Sequence, residues 1–203
     1  MSAELIFIYD SHCPWSYAST ELVSAVEKEL PNITIQLMHC GYFDGDNKVD
    51  KKSIDAVKEL SNVTFSDNYL SLLADTKDST IAANIMAWAQ NKSSDSAFKL
   101  LKALQQAHFI DGNPLESAQD LEPIIAKLKL SPPAKCLKSE NFSKDAEHSI
   151  HDVYELQDII GTSAIPAFLL INNDDLILLN HSVYLENPAM FVEAINNELA
   201  STS

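Results

Sequence analysis

No arginine occurs in the 203-residue chain; its 14 cationic side chains are all lysines, set against 29 Asp and Glu for a net charge of -15. The absence removes the planar guanidinium fork that holds carboxylates and phosphates at two points. The acidic excess disfavours nucleic acid and anionic membrane surfaces as partners. Cysteine is scarce, with three residues, an odd number that cannot build a disulfide framework and that suits a reducing compartment. No apolar window nears the 18 residues of a membrane span. Glu4 precedes only five apolar residues, with no basic n-region before it, so no secretory signal is read and a cytoplasmic setting is expected. At 46% hydrophobic and 21% charged residues, the chain is globular and large enough for one domain, or one domain with a long insertion.

What is present starts with Leu5-Ile6-Phe7-Ile8-Tyr9. An unbroken apolar run rich in Ile and aromatics reads as a central strand buried on both faces. It leads into Asp10-Ser11-His12-Cys13-Pro14-Trp15-Ser16-Tyr17. From Ser16 to Leu30, Ala18, Leu22, Val26 and Leu30 fall on one helical stripe. Cys13 therefore stands where a strand ends and a helix begins, with Pro14 at a position that needs no N–H. Unpaired N–H groups and the macrodipole favour a thiolate there, so the Cys13 pKa is expected below the reference of roughly 8.5. A protonated His12 would lower it further, and a Ser16 hydroxyl could donate to the sulfur. Trp15 and Tyr17 are candidates for a substrate groove or for packing beneath other helices.

Ile33 to Met38 is a second strand, and strand–helix–strand order predicts a parallel pair. His39-Cys40-Gly41 then lies on the same sheet edge as His12-Cys13-Pro14, the edge where open α/β sheets place their sites. Cys40 reads as a strand-end core residue, or as a resolving thiol if it lies close enough to Cys13. Gly41 to Asp50 is a polar loop, with Asp44-Gly45-Asp46-Asn47 as a solvated turn rather than a calcium loop. Helices are expected over 52–60, 68–74, 79–90 with Ser79 as cap, and from Ser94 or Asp95 onward with His108 as a satisfied core histidine. Pro123 fits a helix only in its first turn, which puts that helix's start near Asp120. Ser131-Pro132-Pro133 breaks the pattern, and Cys136 beyond it reads as structural, with Lys135 and Lys138 as surface charges. Ser143 to Ile160 is a long helix stopped by Gly161. Strands over 167–171 and 176–179 flank Asn172-Asn173-Asp174-Asp175 as a hairpin, and Asn187-Pro188 opens a last helix. No metal site is expected, since no spacing of His and Cys matches a zinc pattern.

The strand–Cys13-Pro14-Trp15-Ser16–helix arrangement resembles a thioredoxin fold. Gly161-Thr162-Ser163-Ala164-Ile165-Pro166 resembles the loop of that fold whose proline is cis and faces the active-site cysteine. With a helical block between the halves, the chain is similar to the DsbA family of thiol-disulfide proteins, in its FrnE-like, predicted-isomerase branch. Tyr17 after the motif and Leu101 to Asn113 carry that likeness over nearly all of the 203 residues. The fold implied is α/β, a thioredoxin-like domain over 1–48 and 140–203 with a helical insertion over 49–139.

The resemblance implies Cys13 as nucleophile, tuned by His12 and Ser16. Pro14, Trp15, Tyr17, Ile165 and Pro166 would line the substrate site, with the Ile165 backbone docking an extended strand. Ser16 stands where the family has a second cysteine, so the site cannot close its own disulfide. That leaves single-thiol exchange with protein or glutathione disulfides, glutathione serving as co-substrate with no permanently bound cofactor. Kappa-class glutathione transferases and 2-hydroxychromene-2-carboxylate isomerases have a similar Ser-Pro-aromatic-Ser motif and give a second reading. Asn180-His181-Ser182-Val183-Tyr184 lacks the Gly and Asp-Arg pair usual there. A third reading is a fold that binds a peptide without turnover.

Overall fold

The computed structural model describes residues 3–173 and 175–201. Strand β1 (Glu4–Tyr9) is buried at every residue after Glu4. Its alternation sends Leu5, Phe7 and Tyr9 into one core layer, and Ile6 and Ile8 into a second on the opposite face. This is why the run carries no polar alternation. Helix α1 (Pro14–Glu29) has Cys13 as N-cap and Pro14 in its first turn, and it buries Ala18, Leu22, Val23 and Val26 against the larger layer. Strand β2 (Thr34–His39) pairs in parallel with β1, from Glu4 opposite Thr34 to Tyr9 opposite His39.

A helical block follows. The Asp50 carboxylate accepts the Lys52 N–H and starts α2 (Lys51–Leu60). Ser66 caps α3 (Asp67–Ser71), which ends three residues before the expected limit. Helix α4 (Thr80–Gln90) follows Ser79, whose hydroxyl does not cap it. Ser93 caps α5 (Ser94–Gln105), and the chain continues into a π-helical turn over Gln106–Ile110. Helix α6 (Ala118–Leu128) begins ahead of the expected Asp120, so Pro123 lies inside it rather than in its first turn. The cause is a reciprocal cap: Asp120 N–H donates to the Ser117 hydroxyl, and Ser117 N–H donates to the Asp120 carboxylate at 2.9 Å. That cap outweighs the preference of Pro123 for an earlier position.

Cys136, in a 3-10 turn over Ala134–Leu137, is fully buried, as a structural thiol should be. Ser143 caps α7 (Lys144–Ile160), and Gly161 ends it at φ 70, a left-handed conformation that glycine adopts without a Cβ clash. Strands β3 (Ala167–Asn172) and β4 (Asp175–Leu179) form the expected hairpin, with Asn172 opposite Asp175. The turn is thereby shorter than the expected four residues, and its Asp174 lies outside the described residues. Helix α8 (Pro188–Ser201) closes the chain.

The sheet order is β2-β1-β3-β4, with β3 antiparallel to β1 and to β4. Helix α8 packs on α1, and the larger layer between sheet and helices is continuous with Ile81, Leu101, Leu104, Phe109 and Leu121 of the helical block. Val153 of α7 covers the other face over Ile6, Ile8, Met38 and Leu169. Among the described residues, no helix is long and apolar enough to cross a membrane.

Pro123 is exposed within α6, where a proline removes one intrahelical hydrogen bond at a cost of up to about 3 kcal/mol. Pro123→Ala should raise stability by about 1–3 kcal/mol in urea unfolding. An unchanged or lower midpoint would show that the ring is accommodated without loss.

Candidate active site

The site grows from one carboxylate. Asp10 follows β1 directly and is fully buried. Its Oδ1 accepts the His12 N–H at 2.8 Å. Its Oδ2 accepts the Tyr42 N–H at 2.8 Å, the Phe43 N–H at 3.3 Å and the Ser79 hydroxyl at 2.7 Å. Ser79 makes no cap bond to α4; its hydroxyl is turned toward Asp10 instead. The carboxylate thus binds the turn before α1, the loop after β2 and the start of α4 to one point.

Ser11 and two histidines extend the network. The neutral His12 ring donates from Nε2 to the Pro114 carbonyl at 2.8 Å and accepts the Ser11 hydroxyl at Nδ1 at 3.0 Å. The neutral His39 ring accepts the Gly41 N–H at Nδ1 at 3.1 Å and donates from Nε2 to the Ser11 hydroxyl oxygen at 3.0 Å, with the Ser11 N–H 3.1 Å from the same nitrogen. So residues 39–41 do share the sheet edge with residues 12–14, as the parallel pairing implies. His12 does not act as a cation beside the thiol: burial lowers its pKa, with the Asp10 charge a smaller opposing effect. Burial likewise lowers His39 to about 4.

Cys13 is buried and free. Its pKa is raised, contrary to the expectation from a helix start. Burial is the main cause; the Ser16 N–H and hydroxyl pull it down, the Asp10 charge pushes it up, and the Trp15 N–H pulls it down. Removal from water outweighs the helix N-terminus here. Ser16 is fully buried, and its Oγ accepts the Asp10 N–H at 3.3 Å. That bond occupies a lone pair and leaves the hydroxyl proton free to point elsewhere. Cys40 lies in the layer under α7, on the opposite face of the sheet from Cys13, and is also free, with burial holding its thiol well up.

Tyr17 packs beneath the helical block. Its ring stacks on Phe109 at 4.5 Å and 13°, and meets Phe65 edge-on at 5.7 Å. Trp15 is partly buried beside the same core layer. The Ile165–Pro166 bond is cis. Pairing of β1 with β3 stops at Ile8 and Ala167, which leaves Ile165 beyond the ladder at the end that carries Asp10. His108 is buried but only half satisfied: Nδ1 donates to the Asn113 carbonyl at 2.8 Å, and Nε2 has no partner among the described residues. The π-helical turn carries it to within 4.4 Å of the His12 ring, centroid to centroid.

Sequence reasoning missed Asp10, Ser79, Pro114 and Tyr69 as parts of this region. Asp10 did carry a signal, an acidic residue set directly after a strand buried on both faces. The partners of that carboxylate come from elements whose packing no local pattern encodes.

The buried neutral histidines set a pH dependence. A His whose folded pKa lies below the unfolded value of roughly 6.5 leaves the unfolded state with more bound protons, so its contribution is full above that pH and falls as pH drops. With His39 at about 4, unfolding experiments should show a loss of up to about 3 kcal/mol between pH 6.5 and 4 from this residue alone. His39→Gln should flatten the profile in the upper half of that window. A wild-type stability that does not change from pH 7 to 5 would refute the assignment.

No family model matches the chain, and no curated protein matches it. Solved structures do. The cytosolic disulfide reductase DsbM from Pseudomonas aeruginosa superposes with a TM-score of 0.82 at 21% identity, over 97% of this chain and 98% of that one. The same reductase solved with GSH gives 0.80 at 20% identity, over 97% and 99%. The oxidoreductase DsbA from Xylella fastidiosa gives 0.55 at 10% identity, over 97% and 87%. The fold of this chain is therefore the α/β thioredoxin fold with a helical insertion found in DsbA-like thiol-disulfide oxidoreductases.

Proposed function

We propose that the protein is a thiol-disulfide oxidoreductase or isomerase that works through Cys13 alone, by mixed disulfides with protein or glutathione. The observation that carries this reading is the setting of Cys13 as N-cap of α1 with the buried Ser16 hydroxyl three residues on, in place of a second thiol. The neighbour solved with GSH supports glutathione as co-substrate. An odd number of free cysteines and the cytosolic description of that neighbour fit a reducing cytoplasm.

The chemistry needs two exchanges. The Cys13 thiolate attacks one sulfur of a substrate disulfide; the new S–S bond forms as the other sulfur leaves as a thiolate. A glutathione thiolate then attacks the substrate sulfur of the mixed disulfide, and Cys13 leaves as a thiolate. Where the bound group is glutathione itself, the products are oxidised glutathione and free Cys13. With burial raising the Cys13 thiol and Ser16 in place of a second cysteine, the site lacks the acidic dithiol of a strong oxidant. This favours reduction or isomerisation over oxidation of partners. Trp15, Pro14 and the backbone at Ile165 and Pro166 form the substrate side of the site, with an extended segment docking along Ile165, while Tyr17 packs under the helical block.

Incubation with oxidised glutathione should add one glutathione to Cys13 and none to Cys40 or Cys136, read by peptide mass spectrometry. The rate should climb through pH 8 to 9, since burial raises the thiol pKa. Cys13→Ser should abolish the adduct, and Ser16→Cys should convert it into an internal disulfide. Labelling confined to Cys40 or Cys136 would refute the reading.

A further inference from the structure

Resting on the reading of Cys13 as the nucleophile, we propose that Tyr69 stabilises its thiolate: the buried phenol donates a hydrogen bond to the Cys13 sulfur once that sulfur has lost its proton. Tyr69 lies in the short helix α3, in the helical block and far from the motif in sequence. Its side chain is fully buried, yet its hydroxyl has no partner among the described residues. A buried hydroxyl without a partner is uncommon and calls for a reason.

The rings around Tyr69 place it against the turn that begins at Cys13. On one side it meets His108 at 5.1 Å and 67°, and His108 in turn meets His12, the residue before Cys13, at 4.4 Å. On the other it meets Phe109 at 4.9 Å and Phe65 at 5.6 Å, and both contact Tyr17, one turn after Cys13. The Tyr17 N–H donates to the Cys13 carbonyl at 3.0 Å. Tyr69 is thus bracketed by the residues on either side of the thiol.

Two buried acceptors are candidates for its proton. His108 Nε2 is the first, also unpartnered, but the edge-on rings make no hydrogen bond. The Cys13 sulfur is the second: no bond joins it to the hydroxyl here, but its charge acts on Tyr69. A neutral thiol accepts weakly, whereas a thiolate accepts strongly. The interaction therefore gains most of its strength in the state that reacts, which is what makes it useful for the chemical step. Burial, followed by the Cys13 charge, raises the Tyr69 phenol above its ordinary range, so it keeps its proton while Cys13 ionises.

The groups that face the thiol are few. From the turn before α1 come the Asp10 charge, which opposes ionisation, and the neutral His12. From α1 come the Ser16 hydroxyl and N–H and the Trp15 N–H, which favour it. Cys40 acts from the end of β2. From the helical block comes Tyr69, on which the Cys13 charge acts; the neutral His108 meets Tyr69 and His12, and Lys58 of α2 lies over Phe65 at 5.9 Å.

The test is the Cys13 alkylation rate against pH, by peptide mass spectrometry, in the wild type and in Tyr69→Phe, with urea unfolding of both. The expected result is a Cys13 pKa about one unit higher in the variant, a tenfold loss of thiolate at a fixed pH below it. The urea midpoint should hold or rise, because an unpaired buried hydroxyl has gone. An unchanged Cys13 profile, or one shifted down, overturns the proposal whatever the midpoint does. Should Tyr69→Phe not fold, fluorotyrosine incorporation replaces it: the more acidic phenol is a better donor and should lower the Cys13 pKa, and an unmoved profile again overturns the role. A wild-type Cys13 that reacts at no pH overturns the function reading and this inference with it. A reactive Cys13 that ignores Tyr69 overturns the inference alone.

Discussion

The fully buried Asp10 carboxylate is the constraint on which the site depends. A carboxylate taken out of water is costly unless strong donors replace its hydration. Here three backbone N–H groups and the Ser79 hydroxyl do so. Those donors belong to segments that would otherwise be free to move: the turn into α1, the loop after β2 and the start of α4. Satisfying one charge therefore sets the position of the thiol, of the loop opposite it and of the helical block. Gly41 belongs to the same geometry, because at φ 61 a Cβ there would lie 2.9 Å from both Ile150 and Phe142.

Much of the fold was legible because it rests on periodicity and punctuation. The unbroken run from Leu5 to Tyr9 announced a strand buried on both sides, the stripe through Ala18, Leu22 and Val26 announced α1, and Gly161 marked the end of α7. Errors occurred where a side chain had a competing partner. Ser79 reads as a helix cap but donates to Asp10 instead. Pro123 reads as a first-turn residue, but the Ser117–Asp120 pair begins the helix earlier. In both cases the deciding bond runs to a residue that sequence spacing alone does not single out.

The site itself was half legible. The place of Ser16 is read from the family resemblance, while Cys13 at the junction of strand and helix and the shared edge with His39 follow from order and spacing. The acidity of the thiol did not, because a helix N-terminus is a local feature and burial is not. The packed rings of Tyr69, His108 and Phe109, which come from the helical block, lie against His12 and Tyr17 on either side of the thiol. A thiol whose ionisation burial opposes and the Ser16 hydroxyl favours fits the exchange chemistry proposed for Cys13.

The bond from the His12 ring to the Pro114 carbonyl spans 102 residues, and the bond from Ser79 to Asp10 spans 69. Such separations place the ordering of the motif late in any folding sequence, since distant segments must be brought together before these bonds can form. During synthesis the cysteine leaves the ribosome before the groups that enclose the motif, Ser79 and Pro114 among them. For that interval Cys13 is an ordinary exposed thiol on an unfinished chain. Its burial, which opposes ionisation, is a property that the completed molecule confers on a residue made well before the groups that enclose it.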